Sequence, residues 1–451
     1  MRLKFDLSHA LFSSFDIDAG TRLLLKEVAH EPGIVGARRL LDAGCGTGII
    51  GISLAASCPE MEVVMRDRDF RAVAFAARNA ARNGLAVELY GLGGSRLEPG
   101  RKRHFSKIKV MERNAAPLRA EAGLLCEPEG RPYDAVLSNL PAKAGPALLA
   151  QYFRTLRSGL VRAGGIFAFV IVAPLAEQAR AWCAESGFLL RRTVSTKNHM
   201  VAIAQVPEVP STASPDAASG QWFSRYLRSH AEKKVAGATL AWDGIQGLPE
   251  FDEPSYATTC ALSLAQKVFA GLLVRRALAI EPGVGLAPLW MRAVLGPEEI
   301  VLRSHDTLAL AASSHNLGKA SFHSAAPMLE PEFREAQSKE EQRPTNESEA
   351  RLDGGGAPGA ASAASAAPGH GPLEPASIDA AILFLEDIPG FDVAAYYWPL
   401  VSKVLKRGGA LVVAGESTQT ERAAHQKPPG FSKSPFAEHK KGWEAIAFQR
   451  D

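Results

Sequence analysis

A single acid followed by three glycines on alternate positions marks the stretch Leu40–Ile52, which reads LLDAGCGTGIIGI. The apolar residues before Asp42 predict a buried parallel strand, and those after Gly48 recur at helical spacing. A turn through Gly44, Gly46 and Gly48 would let a ligand lie against bare backbone. Nucleotide-phosphate loops need no negative charge before the first glycine, whereas a cofactor with a cationic amino-acid tail does. The stretch therefore indicates such a cofactor, with an ordinary turn or a dinucleotide loop as the alternatives.

Further polar side chains are expected at the same edge of a parallel sheet. Asp67 ends the next predicted strand, a position from which a carboxylate accepts hydrogen bonds from both ribose hydroxyls. Asp69 is better explained as a helix cap. Asn114 follows a predicted strand at Lys107–Glu112, where it would meet an adenine amine or ring nitrogen. Asn139 comes at the end of a later predicted strand, so all these side chains would converge on one ligand.

The elements that position these residues alternate between strand and helix in the first half of the chain. Apolar runs predict strands at 40–42, 62–65, 87–90, 107–112, 133–138 and 165–172, with helices between them. Asp18 and Thr21 are candidate caps for a first helix that contains Leu23–Leu25 and Val28. A hairpin at 187–206 follows. The alternation indicates an α/β fold, a doubly wound and mostly parallel seven-stranded sheet with an antiparallel edge hairpin.

The second half repeats this pattern after a linker at 207–220, which reads PEVPSTASPDAASG. We expect two tandem Rossmann-like domains, at 1–206 and 221–451, the second with a disordered insertion at about 335–377 that is rich in Ala, Gly, Ser, Pro and Glu. In the second copy Glu281, Gly283 and Gly285 would match the acid and the first two glycines, and Ser304 would replace the ribose carboxylate. The second copy is therefore predicted to be degenerate.

Composition narrows the class of protein. The 451 residues carry a formal net charge of +3 and five scattered cysteines with no CxxC pair. This cysteine usage argues against a disulfide scaffold or a zinc site, and no metal is predicted. No apolar run is long enough for a signal peptide or a membrane span. We expect a soluble cytoplasmic protein, and the sequence leaves its oligomeric state open.

Four stretches together resemble one family. The first half resembles the class I S-adenosylmethionine-dependent methyltransferases, and within them the "methyltransferase small" group, which includes the enzymes that make N2-methylguanosine in ribosomal RNA. The stretches that carry the resemblance are ALFSSFDIDAGTRLLL (10–25), LLDAGCGTGIIGISLA (40–55), RDRDFRAVAFAARNAARNGL (66–85) and YDAVLSNLPAKAG (133–145). Their order and spacing cover most of residues 1–206.

The resemblance implies a role for each matched position. The methionine part of S-adenosyl-L-methionine would be held by Asp42 and the three glycines, with Gly20 and Thr21 closing over its carboxylate. Asp67 would hold the ribose and Asn114 the adenine. Asn139, Leu140 and Pro141 stand where the family has its Asn-Pro-Pro-aromatic motif.

That motif has a definable chemical task. An exocyclic amine conjugated to a ring is a poor nucleophile, and two acceptors that bind its hydrogens turn its lone pair toward the sulfonium methyl. Asn139 Oδ1 and the Leu140 carbonyl would be those acceptors, and Pro141 stiffens the loop. The family's second proline is Leu140 here and its aromatic residue is Ala142, which removes a stacking platform worth roughly 1–3 kcal/mol per base.

We therefore predict that the protein is an S-adenosylmethionine-dependent N-methyltransferase whose first half is catalytic. Its predicted substrate is an exocyclic amine, guanine N2 in structured, ribosomal RNA. Because the aromatic position is lost, a protein glutamine or a small-molecule amine stays open as substrate. A non-catalytic RNA-binding or assembly factor that keeps the fold is the rival from another class. Basic stretches at 96–104 and 427–443, the latter with aromatic residues between the lysines, suit an RNA partner.

Overall fold

A computed structural model of the chain describes residues 3–7, 17–91, 96–97, 116–208, 222–318, 373–388 and 391–451. The predicted strand 107–112, Asn114, and most of the predicted linker and insertion lie outside the described residues. Within the described ranges no helix has the length and apolar character that a membrane span requires.

One large sheet organises the first half. Its nine strands in the described residues are β1 (Arg39–Ala43), β2 (Glu62–Asp67), β3 (Val87–Tyr90), β4 (Arg96–Leu97), β5 (Leu118–Ala122), β6 (Tyr133–Asn139), β7 (Val161–Val172), β8 (Leu189–Ser195) and β9 (His199–Gln205). Their spatial order is β4-β3-β5-β2-β1-β6-β7-β9-β8. The strands from β3 to β7 pair in parallel, whereas β4 and the β8–β9 hairpin are antiparallel. The predicted mostly parallel sheet with an antiparallel edge is confirmed.

In the described residues the sheet has nine strands instead of the expected seven. Strand β3 was predicted, whereas β4, which pairs with β3 at the edge of the sheet, was not. The strand beside β2 is β5, which the sequence pattern did not reveal. Its residues alternate between apolar and charged, with Arg119 and Glu121 between buried neighbours. A short strand of this kind lacks the continuous apolar run that marks the central strands.

Helices connect and cover the strands of the first half. They are α1 (Ala19–Val28), α2 (Pro32–Val35), α3 (Ile49–Ser57), α4 (Phe70–Arg82), α5 (Pro146–Thr155) and α6 (Ala176–Glu185). The predicted N-caps are confirmed, since Asp18 accepts from the Thr21 amide in α1 and Asp69 accepts from the Arg71 amide in α4. Each cap removes an unsatisfied donor at a helix start. These caps fix where α1 and α4 begin, directly beside the strand ends.

The second half opens with a hairpin and continues as a smaller sheet. The hairpin strands are β10 (Leu227–Val235) and β11 (Ala238–Ile245), and the sheet strands are β12 (Arg276–Ile280), β13 (Glu299–Arg303), β14 (Ile378–Phe384), β15 (Leu405–Glu416), β16 (Phe431–Lys440) and β17 (Trp443–Arg450). The helices are α7 (Tyr256–Val268), α8 (Leu286–Trp290), α9 (Thr307–Leu317), α10 (Val393–Val404) and α11 (Ser417–His425). The order β13-β12-β14-β15-β17-β16 reproduces β2-β1-β6-β7-β9-β8 of the first half. The two sheets therefore share one topology, as expected for tandem copies.

The two halves meet at equivalent segments. Asp69 and Asp306, the N-caps of α4 and α9, form an isolated antiparallel bridge. The amide of Phe70 donates to the His305 carbonyl at 2.8 Å, and the amide of Thr307 donates to the Arg68 carbonyl at 2.9 Å. These reciprocal bonds relate the turn after β2 to the turn after β13 by a local two-fold. One apolar core, with members from both halves, continues on either side.

Candidate cofactor and acceptor site

The glycine turn lies between β1 and α3 and has the predicted geometry. Gly44, Gly46 and Gly48 have φ values of +72°, +53° and +82°, a region that L side chains rarely adopt. A Cβ atom at Gly48 would lie 2.9 Å from the Ala76 Cβ, so this glycine permits close packing of α3 on α4. A Cβ at Gly44 or Gly46 would meet no described atom within 4 Å. The first two glycines therefore line open space at the end of the strands.

Asp42 supplies an unsatisfied carboxylate oxygen beside this turn. Its side chain is fully buried, and Oδ2 accepts a hydrogen bond from the Gly51 amide at 2.8 Å. Oδ1 is buried as well, and no hydrogen-bond partner for it is found among the described residues. Burial raises the pKa of Asp42 to about 7, and the negative charge of Asp67 adds to the increase. A cationic ligand group would satisfy Oδ1 and stabilise the ionised form.

Asp67 ends β2 and faces the same turn. Its Oδ2 accepts from the Gly46 amide and its Oδ1 from the Asp69 amide, each at 2.9 Å. Burial raises the pKa of Asp67 to about 6, although both hydrogen bonds oppose this increase. Two carboxyl groups with raised pKa values thus lie at adjacent strand ends, an arrangement typical of ligand sites.

Asn139 ends β6, and its side chain is hydrogen-bonded through the amide nitrogen. Its Nδ2 donates to Asp18 Oδ2 at 2.9 Å and to Thr21 Oγ1 at 3.0 Å, so both amide hydrogens are used. Among the described residues nothing donates to Oδ1. The same Asp18 oxygen accepts from the Thr21 amide at 2.9 Å and caps α1. The start of α1 therefore fixes the orientation of the Asn139 amide and leaves its oxygen available as an acceptor.

The two residues after Asn139 continue the acceptor loop. The Leu140 side chain is buried, and its amide donates to the Val170 carbonyl at 2.9 Å. In the described part of the chain no donor reaches the Leu140 carbonyl. Pro141 is exposed, and its carbonyl accepts from the Ala144 amide at 2.8 Å, which starts a short 3₁₀ turn at Ala142–Ala144. Within the described residues, the loop thus carries one carbonyl and one amide oxygen that accept no hydrogen bond.

The structure adds two residues that the sequence pattern had not assigned to the site. Asp18 was expected only to cap a helix, and it also binds Asn139. Gly123 follows β5, and its amide donates to the Asp67 carbonyl at 3.0 Å. The strand end next to Asp67 is therefore at Ala122–Gly123. Asn114 lies outside the described residues, and its adenine role stays a prediction.

The second half has its own version of the turn. Ser304 stands at the place of Asp67, as expected, and accepts from the Asp306 amide as Asp67 accepts from the Asp69 amide. The expected match of Glu281 with Asp42, however, was wrong. Gly285 caps α8 in the left-handed conformation as Gly48 caps α3. The amide of Glu281 donates to the Arg303 carbonyl, just as the amide of Gly44 donates to the Arg66 carbonyl, both at 2.8 Å. Glu281 therefore occupies the place of Gly44, with φ +53°. The match of Glu281 with Asp42 was therefore two residues out of register. The residue at the place of Asp42 is Ala279.

Side chains of the second half fill this second crevice. Glu281 accepts from Ser304 Oγ at 2.5 Å and from Tyr397, and it lies 2.9 Å from Nδ1 of His305. Burial alone lowers the pKa of His305, but the Glu281 carboxylate outweighs it and raises that pKa to about 9. The other ring nitrogen lies 3.4 Å from Glu386. Glu281, His305 and Glu386 bring three ligand atoms within 4.8 Å of one another, a spacing that a metal ion also accepts.

Comparison with known proteins finds similarity to one family in the first part of the chain. Residues 2–108 match the methyltransferase small domain, which confirms the expected resemblance. A ribosomal RNA small subunit methyltransferase C from Hahella chejuensis is 37% identical over 91 residues, which are 20% of this chain and 25% of that protein. A ribosomal RNA large subunit methyltransferase G from Streptomyces avermitilis is 39% identical over 89 residues, 19% and 23% of the two chains. The matched region thus spans about a quarter of these relatives.

One solved structure resembles the whole chain. It is a 16S rRNA N2 G1207 methyltransferase from T. thermophilus in complex with AdoMet and guanosine, with a TM-score of 0.58. The match covers 100% of this chain and 95% of that one at 15% sequence identity. At this identity the match establishes the Rossmann-like methyltransferase fold of the chain and no more.

Proposed function

Because residues 2–108 carry a methyltransferase small domain, we propose that the chain is an S-adenosylmethionine-dependent N-methyltransferase. Its proposed substrate is an exocyclic amine of RNA, with guanine N2 of ribosomal RNA as the preferred target. The similarity to ribosomal RNA methyltransferases supports an RNA substrate, and the acceptor loop at the end of β6 fits an amine as the methyl acceptor. We propose one catalytic domain at 1–206 and a second, degenerate domain at 221–451.

The residues at the strand ends fit the proposed cofactor. Asp42 Oδ1 is buried and unpaired among the described residues, so a cationic α-amino group would give it a partner. Gly44 and Gly46 leave room for a ligand against their backbone. Asp67 is the carboxylate beside this space. Its Oδ2 would exchange the hydrogen bond from the Gly46 amide for hydrogen bonds from the ribose hydroxyls. Gly20 and Thr21, at the start of α1, would close over the carboxylate of the methionine part of the cofactor.

The observation that carries the proposal is the one-sided anchoring of Asn139. Both hydrogens of its nitrogen are used by Asp18 and Thr21, so its oxygen is the atom left to accept a hydrogen bond from a substrate amine. Together with the Leu140 carbonyl, it binds both hydrogens of an exocyclic amine and turns the nitrogen lone pair away from the ring. S-adenosylmethionine supplies an electrophilic methyl group when bound. No strong base is required, since the methylated amine loses a proton afterwards, and the contribution of these residues is alignment.

Calorimetry with S-adenosylmethionine tests the cofactor proposal. We expect binding that Asp42→Ala and Asp67→Ala each abolish or weaken severely, because each removes a carboxylate at the strand ends. Absence of binding, or binding that both variants retain, would support the non-catalytic assembly factor instead.

Transfer of labelled methyl groups tests the substrate. The protein is incubated with labelled S-adenosylmethionine and either total RNA or cell protein from a strain that lacks it. Label in RNA supports the proposal, and label in protein alone supports the glutamine alternative, which the loss of the aromatic residue at Ala142 keeps open. Asn139→Ala should abolish transfer and leave cofactor affinity unchanged, while Asn198→Ala, which removes an exposed amide from the β8–β9 turn, should leave both unchanged. Equal loss of transfer and affinity in Asn139→Ala would mean that the acceptor is elsewhere.

An RNA substrate also bears on location. We propose that the protein acts in the cytoplasm, the compartment in which ribosomal RNA and the methyl donor would both reach it.

A further inference from the structure

A groove of about 570 Å³ begins directly after the acceptor loop. One wall is the segment Lys143–Ala147, which starts two residues after Pro141 in the 3₁₀ turn and runs into α5. The other wall comes from the second half and consists of Arg228 on β10, Gln246–Leu248 after β11, and Phe251. This volume falls in the range of ligand sites, roughly 300–1,000 Å³. The groove therefore joins both halves of the chain next to Asn139.

The described walls of the groove carry two positive charges. Lys143 and Arg228 are exposed on opposite walls, and neither has an ion-pair partner in the described part of the chain. The lining residues that the structure describes include no carboxylate. By contrast, Lys233 on the same strand as Arg228 pairs with Glu253 at 2.5 Å. Two unpaired cations across a concave surface favour an anionic ligand.

The Arg228 guanidinium stacks on the ring of Phe251. The guanidinium carbon lies 3.5 Å from the centre of the Phe251 ring, a cation–π contact. A guanidinium held by its face presents its N–H edge in a fixed fork, which matches the geometry of a phosphate group. Because the side chain is already ordered, less conformational entropy is lost when it binds. Arg228 is therefore suited to a two-pronged phosphate contact.

A hydrogen bond also connects the groove to the turn that follows β2. Arg68, the residue after Asp67, donates from Nη1 to the Gly247 carbonyl in the groove wall at 3.2 Å. Its Nη2 pairs with Asp306 at 3.1 Å. A Cβ at Gly247, which has φ +88°, would lie 3.1 Å from Arg68 Nη1, so the wall and the turn pack closely. A ligand in the groove would thus lie at a fixed position relative to the strand ends.

Resting on the proposed function, we propose that this groove binds a phosphate of the RNA strand beside the target nucleotide. Arg228 would bind two phosphate oxygens, and Lys143 would contribute a point charge from the opposite wall. The target base could then reach Asn139 and Leu140 while its backbone is held between the two halves. The second half would thereby contribute to substrate binding although its own crevice is filled by Glu281 and His305.

Salt dependence of RNA binding tests this assignment. The probe is a fluorescein-labelled single-stranded RNA 20-mer, and its affinity is measured by fluorescence anisotropy over a series of KCl concentrations. Removing one phosphate contact should lower the slope of log K against log [salt] by about 0.7–1. We expect this decrease for Arg228→Ala and for Lys143→Ala, with affinity at low salt reduced by roughly 5–10-fold.

Matched controls separate the groove from general surface charge. Arg407 and Lys234 are exposed cations without an ion pair among the described residues, at the amino end of β15 and the far end of β10. Arg407→Ala and Lys234→Ala should leave the slope unchanged. Arg228→Lys should keep the slope but lose affinity, since lysine cannot make the two-pronged contact. Phe251→Leu should also lose affinity with an unchanged slope.

The outcomes distinguish this proposal from the proposed function. Unchanged slopes in both groove variants, equal losses in the controls, or no binding of the 20-mer by the unmodified protein would overturn the groove assignment. Calorimetric affinity for S-adenosylmethionine should be the same in every variant, which also shows that each one folds. Failure of the protein to bind S-adenosylmethionine would overturn the proposed function and leave the groove result to stand by itself as RNA binding.

Discussion

The amide nitrogen of Asn139 lies 2.9 Å from Asp18 Oδ2, across 121 residues of sequence. This bond connects the start of α1 to the end of β6 and decides which atom of the amide faces the open side. An amide with a free NH₂ group would offer donors to a substrate amine and repel it. We therefore treat Asp18 as a positioning residue for the acceptor.

Asp18→Ser should separate this positioning from helix capping. Serine caps a helix about as well as aspartate, but its shorter side chain does not reach Asn139. We expect unchanged thermal stability and cofactor affinity, with kcat for methyl transfer lowered by roughly tenfold, since one of two amide anchors is lost. Asp18→Ala, which also removes the cap, should in addition lose about 1 kcal/mol of stability. Full activity in Asp18→Ser would show that Thr21 alone orients the amide.

Asp42 should make the stability of the cofactor-free protein fall as pH rises. Its pKa is about 7 in the folded protein, against about 3.9 in an unfolded chain. Between these values the folded state holds a proton that the unfolded state has lost, so the stabilisation is complete below pH 4 and is lost by about pH 7. Asp42→Asn, which cannot ionise and can still accept from the Gly51 amide, should flatten this dependence.

Urea unfolding at pH 5 and pH 8 measures the effect. The unmodified protein should lose roughly 2.5 kcal/mol relative to Asp42→Asn between the two pH values. Binding of a cationic cofactor should also release a proton from Asp42 near pH 6, which calorimetry in buffers of different ionisation enthalpy detects. Identical pH profiles of the two proteins would contradict the raised pKa.

The three glycines should respond differently to substitution. Gly48→Ala places a methyl group 2.9 Å from the Ala76 Cβ in a left-handed conformation, so about 2–5 kcal/mol of unfolding free energy should be lost. Gly46→Ala meets no described atom within 4 Å and should lose only about 1–2 kcal/mol. Its methyl group enters the space assigned to the cofactor, so affinity should fall by at least about tenfold. Thermal melts and calorimetry on both variants check the contrast, and equal cofactor affinity in Gly46→Ala and the unmodified protein would mean that the turn does not contact the ligand.

Local signals made the first half predictable. The acid, the glycines and the caps Asp18 and Asp69 act over a few residues, and strand β1 and helix α3 follow from them. Strand β5 was missed because Arg119 and Glu121 interrupt its apolar residues, although their alternation is itself a strand signal. The predicted contact of Asn114 with adenine depended on the strand predicted at 107–112, which precedes β5 in the chain.

Contacts distant in sequence could not be read from local patterns. Arg68 looks like one more surface charge after a strand, yet it bonds Gly247, which is 179 residues away. Glu281 was aligned with Asp42 because both are acids before glycines. Only the backbone bond to Arg303 and the left-handed φ show that it occupies the place of Gly44. In both cases the deciding information is three-dimensional.

The Arg68–Asp306 pair should couple the two halves energetically. Asp306 is buried, and burial raises its pKa while the charge of Arg68 opposes the increase. Arg68→Ala leaves this carboxylate without its cation and removes the bond to Gly247. Since the Arg68 side chain is 42% exposed, solvent screens part of the loss, and we expect about 1–2 kcal/mol of destabilisation.

A double-mutant cycle with Asp306→Asn isolates the pair, because asparagine keeps the cap of α9 and removes the charge. The double variant should be less destabilised than the sum of the single variants, with a coupling energy of about 1 kcal/mol from urea unfolding. Cofactor affinity should fall in Arg68→Ala, since Arg68 anchors the turn that carries Asp67 and Asp69. Additive single effects with unchanged cofactor affinity would mean that the reciprocal backbone bonds of Phe70 and Thr307 hold the halves together without help from this ion pair.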